Sequence, residues 1–361
     1  MSDPVEPDCL PGAPHPRETA GLYGQDAAEA QFLAAAGAGR LHHAWLLTGP
    51  RGVGKATLAW RIARALVAGG PVTTLQMDPG APAFRTLAGL ASPRLFLCRR
   101  PWDDKAERLR VAITVEEVRA LKEFFQLSAT DGGHRVAIVD AADELNASAA
   151  NALLKILEEP PADAVLLLVC HRPAGLLPTI RSRCRELRLG PLGPADMHRA
   201  LAGAGAEVDA SAALATLAGG SVGAAMRLAG ENGAAIYEAI TGLLRQTPLD
   251  RRGALALADG ATGRDAAGRY ELTLELIGTA LGRLALAGAG APVEPVSTAE
   301  AEMLARLGAS PAHAQVWARL APAIAARTAH ARAVNLDPGQ VILDTLLQID
   351  AAAAEARALA A

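Results

Sequence analysis

The sequence predicts an α/β domain built on a parallel sheet, followed by helical domains. Three observations carry this. A glycine loop, Gly49-Pro-Arg-Gly-Val-Gly-Lys-Ala-Thr57, sits between the apolar run Ala44-Trp-Leu-Leu-Thr48 and a helical pattern from Leu58. Two further apolar runs, Arg135–Asp140 and Ala164–Cys170, alternate with helical patterns, as parallel strands covered on both faces do. Beyond Gly190-Pro-Leu-Gly-Pro194 only helical patterns remain, broken by Gly and Pro.

Met1 to about Pro16 carries four prolines before His15 and no periodicity, so it reads as a loose, flexible arm. Arg17 to Gly39 reads as a helix ended by Gly37 and Gly39. His42 and His43 follow. Adjacent residues of an extended chain point to different sides, so they make poor joint metal ligands.

The glycine loop comes next. Strand, glycine loop and helix in that order turn successive N–H groups toward an anion, and the helix aims its positive end at the same point. Gly49, Gly52, Gly54 and Lys55 fit a phosphate loop, with Lys55 able to reach terminal phosphates. The next position usually carries the Ser or Thr that holds Mg²⁺. Here it is Ala56, and a hydroxyl comes one residue late at Thr57, about 100° further round a helix.

Residues 69–92 read as loop with a short helix, and Arg94–Cys98 as a strand. Ile113-Thr-Val-Glu-Glu-Val118 is a helix start: Thr114 and Glu117 are spaced as a capping box, and Ile113 can staple to Val118. The strand Arg135–Asp140 ends in a carboxylate, the place where phosphate-loop ATPases hold Mg²⁺. A strand-end cap is the plainer role for Asp140. Ala141 follows it, and Asp143 and Glu144 are expected to lie too far on to reach the same point. Asn146 caps a helix that Pro160-Pro161 stops, with Ala150, Leu153, Leu154 and Leu157 on one face. Thr179-Ile-Arg-Ser-Arg-Cys-Arg185 reads either as a solvated basic turn or as arginine offered to another molecule's phosphate.

Composition bounds the function. The 361 residues are 51% hydrophobic but only 3% aromatic, with a net charge of −3, which suits two or three largely helical domains. No overall basic character points to nucleic acid, although a local patch can serve. The four cysteines, Cys9, Cys98, Cys170 and Cys184, form no C-x-x-C pair, so no zinc or redox motif is readable. No apolar run approaches the roughly 18 residues of a membrane span, and the arm is not a basic signal sequence. The expectation is a soluble, cytoplasmic chain with no membrane contact and no resident metal.

Three stretches together resemble one family: Gly49–Thr57, Asn151-Ala-Leu-Leu-Lys-Ile-Leu-Glu-Glu-Pro-Pro161 and Ser182-Arg-Cys184. In this order and spacing they are similar to bacterial clamp-loader subunits of the AAA+ class. The departures from the ATPase pattern narrow the resemblance to the delta-prime type. The resemblance implies an AAA+ (RecA-like) phosphate-loop domain over 17–189 after an arm at 1–16, a helical lid over 190–230 and an all-α collar over 231–361. It implies assembly with gamma/tau ATPase and delta subunits into a loader that places the sliding clamp on primer-template DNA, as part of a DNA-directed DNA polymerase III holoenzyme. Arg183 resembles an arginine finger offered in trans to a neighbour's γ-phosphate.

Further departures bear on catalysis. The four zinc cysteines of many relatives are absent, so no zinc is expected. The lid position that usually offers arginine to nucleotide is Gly223, with Arg227 one turn on. With Ala56, Ala141 and Gly223 substituted, hydrolysis in this chain's own loop is not expected. Whether Gly49, Gly52, Gly54, Lys55, Thr57 and Asp140 still bind ATP or ADP, with or without Mg²⁺, stays open. The alternative is an active gamma/tau-type ATPase, which would normally keep the Mg²⁺ hydroxyl, the catalytic Glu and the zinc cysteines. A small-molecule kinase would need an arginine-rich lid and no helical collar.

Overall fold

A computed structural model describes residues 6–9, 13–39, 41–105, 107–126, 133–206, 212–246, 248–263 and 266–360. The chain divides into two compact units. One comprises residues 1–208 and 219–226, the other 209–218 and 227–361. The segment 190–230, expected as a lid, is shared between them.

The first unit opens with α1 (Asp26–Gly37), β1 (Ala44–Thr48), α2 (Lys55–Ala68), α3 (Pro82–Ala88) and β2 (Leu95–Arg99). A small antiparallel hairpin, β3 (Trp102–Asp103) and β4 (Arg108–Leu109), follows. Next come α4 (Val115–Gln126), β5 (Arg135–Asp140), α5 (Ala147–Glu158), β6 (Ala164–Cys170), α6 (Pro178–Arg181) and β7 (Arg185–Arg188), then α7 (Pro194–Gly203). The sheet is parallel in the order β2-β5-β6-β1-β7. β1, β5 and β6 are buried at every position, the burial that their unbroken apolar runs require.

Caps fix α4 and α5. The Thr114 N–H donates to Glu117 Oε2 at 2.7 Å, the returning half of a capping box. Asn146 Oδ1 accepts from the Ala149 N–H at 2.8 Å. From that start α5 lays Ala149, Ala150, Leu153, Ile156 and Leu157 into the core under the sheet.

Three expectations need correction. The first helix starts at Asp26, not near Arg17. Residues 16–20 form only an isolated turn, with the Thr19 N–H donating to the His15 carbonyl at 3.1 Å, and two arginines of α2 hold carbonyls of this segment. Arg64, 1% exposed, donates to the carbonyls of Pro16, Arg17 and Thr19, and Arg61, 3% exposed, to that of Ala20. The arm is docked where it is described. Arg17 and Arg99 both pair with Glu6, at 2.7 and 3.0 Å, and Arg99 pairs with Asp8 at 2.5 Å. The rings of His42 and His43 stack, with centroids 4.3 Å apart, rather than pointing to different sides. They precede β1, so strand alternation does not govern them.

The second unit holds α8 (Ala212–Leu217), while α9 (Val222–Gly230) begins in the first unit and ends in the second. The rest is helical: α10 (Gly233–Leu244), α11 (Arg251–Asp259), α12 (Ala267–Gly288), α13 (Thr298–Leu307), α14 (Pro311–Ala333) and α15 (Pro338–Ala360). At its centre Glu300 is fully buried. It accepts from Tyr237 Oη at 2.6 Å, Arg283 Nε at 2.5 Å and the Val296 N–H at 2.7 Å. Burial alone would raise its pKa, but these donors outweigh it and hold the carboxyl below the usual glutamate range. No helix among the described residues is long and apolar enough to cross a membrane.

Candidate functional site

The glycine loop leaves β1 and enters α2 at Lys55, the strand, loop and helix order read from the sequence. Gly49, Gly52 and Gly54 have φ of 142°, 77° and 103°, backbone that side chains rarely adopt. Gly52 is also crowded. A Cβ there would lie 2.3 Å from Ser221 Oγ and 3.0 Å from the Gly223 nitrogen, and the Gly223 N–H donates to the Gly52 carbonyl at 3.3 Å. The Ser221–Gly223 turn thus sits directly on the loop.

Lys55 is buried and turned back on its own loop, donating to the carbonyls of Gly49 at 2.7 Å and Pro50 at 2.5 Å. Burial lowers its pKa to about 8, against the pull of the Asp140 and Asp143 carboxylates. Asp140 ends β5 and is buried. Burial, with the charges of Asp8 and Glu144 adding, lifts its carboxyl to about 7 despite Lys55 and Arg51. Thr57 is the third residue of α2 and half-buried.

Asp143 and Glu144 come closer to this site than the sequence suggests, because a short 3₁₀ turn over Ala142–Glu144 folds the chain back. Glu144 pairs with Arg100 at 2.8 Å and lies 3.9 Å from Arg51 of the loop. Asp143 accepts the His171 N–H at 2.8 Å and faces Arg172 at 3.4 Å. Burial, then the positive charges of Lys55 and Arg51, lower His171 to about 4, and burial with the Asp143 charge raises Cys170 to about 11. At neutral pH both are uncharged.

The residues present do not suit Mg²⁺. Ala56 offers no hydroxyl, so the usual hydroxyl ligand for the dication is missing beside Lys55. Glu6, Asp8 and His15 place ligand atoms within 4.8 Å of one another. Their carboxylates already face Arg17 and Arg99, and His15 Nδ1 accepts the Arg17 N–H at 3.0 Å, which puts a neutral ring's proton on Nε2. The set closes as an ion-pair network.

Sequence reading missed Gln25. Its side chain is buried and donates to the carbonyls of Val53 at 3.1 Å and Gly190 at 2.9 Å, while accepting the Gly190 N–H at 3.2 Å. It ties the glycine loop to the chain after β7. The available signal was a polar amide directly after Gly24, where α1 begins.

Arg183 lies elsewhere. β7 runs parallel to β1 with Arg185 level with Trp45 and Arg188 level with Thr48. The glycine loop follows Thr48, whereas Arg183 precedes Arg185, which itself lies three residues, about 10 Å, before the level of Thr48. The two therefore sit at opposite ends of the sheet. The Arg183 side chain is 36% exposed, and its guanidinium donates to the Thr179 carbonyl at 3.0 Å and pairs with Glu158 at 2.9 Å. Arg227 pairs with Glu275 within the second unit, Nη1 to Oε1 at 3.1 Å.

Residues 24–193 match the family model described as DNA polymerase III, delta subunit. The chain is 39% identical over 210 residues to a Pseudomonas aeruginosa DNA polymerase III subunit delta', 56% of this chain and 62% of that one. It is 31% identical over 155 residues to the subunit delta' of Bacillus subtilis, 43% of this chain and 44% of that one. With a Mycobacterium bovis subunit gamma/tau it shares 32% over 196 residues, 52% of this chain and 31% of that one. The chain thus spans less than two thirds of each of these relatives. A solved gamma subunit-related protein of Thermotoga maritima aligns over 91% of this chain and 99% of its own, at 17% identity and a TM-score of 0.40, too slight a likeness to carry an argument. Over residues 24–193 the chain is thus similar to the DNA polymerase III delta-subunit family, and delta-prime subunits are among the proteins it resembles.

Proposed function

We propose that this chain is a delta-prime type clamp-loader subunit that lends Arg183 to the nucleotide site of a neighbouring gamma/tau-type subunit and does not hydrolyse ATP in its own loop. One observation carries the reading: Arg183 and Lys55 sit at opposite ends of the same parallel sheet. An arginine so placed is out of reach of its own glycine loop but exposed for another subunit's phosphate. The planar guanidinium suits charge stabilisation on a transferring phosphoryl group.

The state of the glycine loop supports the second half. Lys55 is spent on loop carbonyls, the Ser221–Gly223 turn packs on Gly52, and the Mg²⁺ ligand set is deficient. On this reading the partners are the gamma/tau and delta subunits, with the sliding clamp and primer-template DNA engaged through the whole loader. ATP or ADP in the loop would be held without turnover.

The test is ATP turnover of the reconstituted loader, stimulated by clamp and primed DNA. Arg183→Ala is expected to slow the site it faces by about 10³-fold or more, and Lys55→Ala to leave turnover near wild type. Loss with Lys55→Ala and none with Arg183→Ala would mean that the chain turns over its own ATP.

A further inference from the structure

We infer that Glu158 is a positioning residue for Arg183, holding the guanidinium in place until a partner's anion takes it over. This rests on the trans-acting reading of Arg183. The carboxylate and guanidinium come from separate elements, Glu158 from the end of α5 and Arg183 from the turn between α6 and β7. Their meeting is fixed from both sides.

On the α5 side, Ile156 and Leu157 are 3% and 2% exposed, so the last turn has one rotation about its axis. That rotation leaves Glu158 outside, and Pro160-Pro161 ends the helix there. On the other side Ile180 is fully buried in the same core, and Cys184 packs against that core. Arg183 is held between these two anchors, and its N–H donates to the Ile180 carbonyl at 3.1 Å. The side chain is then restrained at two points, the Thr179 carbonyl through Nη1 at 3.0 Å and Glu158 through Nη2 at 2.9 Å.

The balance of forces suits a temporary hold. Both partners are at least a third exposed, and an ion pair in such a setting contributes little net stability. Its order is worth more than its energy, because an arginine free to rotate about four side-chain bonds must give up that freedom when it docks. A dianionic phosphate competes well with one exposed carboxylate, and the guanidinium keeps further N–H donors for it. Lys155 lies one turn earlier on α5, and no ion pair holds it among the described residues, so the carboxylate selects the arginine.

The experiment compares Glu158→Ala, Glu158→Gln, Arg183→Ala and the double variant Glu158→Ala/Arg183→Ala in the reconstituted loader, with kcat and KM for ATP read separately. Glu158→Ala is expected to lower kcat roughly 3- to 10-fold with KM unchanged, since misplacing a catalytic group by about 1 Å can cost far more. Glu158→Gln, which keeps a hydrogen bond, is expected to recover at least half of that loss. In the Arg183→Ala background Glu158→Ala is expected to have no further effect. A rate that is unchanged or raised in Glu158→Ala, or a loss that adds to that of Arg183→Ala, overturns the inference while leaving the trans-acting arginine intact. An Arg183→Ala loader that turns over normally overturns both. The melting temperature of each variant is measured alongside, and a Glu158→Ala rate loss matched by a large fall in melting temperature marks a structural role and overturns the inference.

Discussion

Arg183 Nη2 lies 2.9 Å from Glu158 Oε1, so two sequence stretches 25 residues apart, one ending α5 and one preceding β7, meet at a single exposed ion pair. The glycine loop, at the other end of the sheet, has its own lysine turned inward. Arg183, by contrast, is partly exposed.

Removal of Arg183 is expected to affect turnover and not folding. A half-exposed pair contributes at most about 1 kcal/mol, so Arg183→Ala should shift the melting temperature by less than about 4 °C. Differential scanning calorimetry of the isolated chain checks this, and a larger fall would place Arg183 among the structural residues.

Asp140 gives a pH signature. Its folded pKa of about 7 lies above the unfolded value of about 3.9, so the protonated form is favoured in the fold. The stability this contributes is complete below the unfolded value. It is lost as pH rises toward 7 and stays lost above. Asp140→Asn should therefore gain on wild type by about 1 kcal/mol or more between pH 4 and pH 8. Urea midpoints across that range would show the difference growing, and a flat difference would sink the idea.

Glu300 works the opposite way. Burial raises its pKa, but hydrogen bonds from Arg283, Tyr237 and the Val296 N–H lower it further than burial raises it. A depressed acid contributes stability above its unfolded value of about 4.3, and this is lost as pH falls through the folded value. Glu300→Ala leaves Tyr237 without its acceptor and Arg283 without its carboxylate, with only the Glu294 carbonyl left to it, and is expected to cost about 3–5 kcal/mol at pH 7. Chemical denaturation followed by helical signal measures it.

Arg64→Leu removes the donor that holds the carbonyls of Pro16, Arg17 and Thr19. The segment should loosen, and trypsin should cut after Arg17 faster in the variant. An unchanged cleavage rate would mean that Arg61 and the Glu6–Arg99 network hold the segment without Arg64.

What could be read in the sequence was what local pattern dictates. β1, β5 and β6 were legible because each is an unbroken apolar run, and α5 because Asn146 and Pro160-Pro161 bracket it. β7 was not, since Arg185-Glu-Leu-Arg188 offers only Leu187 to the core, and its strand form comes from pairing with β1. At the site, the loop glycines and Lys55 followed from spacing. Gln25, the inward turn of Lys55 and the approach of Asp143 and Glu144 depend on contacts between distant segments, which no local pattern encodes.

The docking of residues 16–20 by Arg61 and Arg64 uses main-chain oxygen atoms, which every amino acid possesses. Recognition of that kind fixes a path for the chain without dictating its letters. Substitutions along the segment can accumulate so long as the path is kept, and comparison by sequence loses the segment before comparison by shape does. The family match begins at residue 24, just past it. The trace of such a fastening in another chain would be an arginine pair on the first helix after the glycine loop, whatever residues precede that loop.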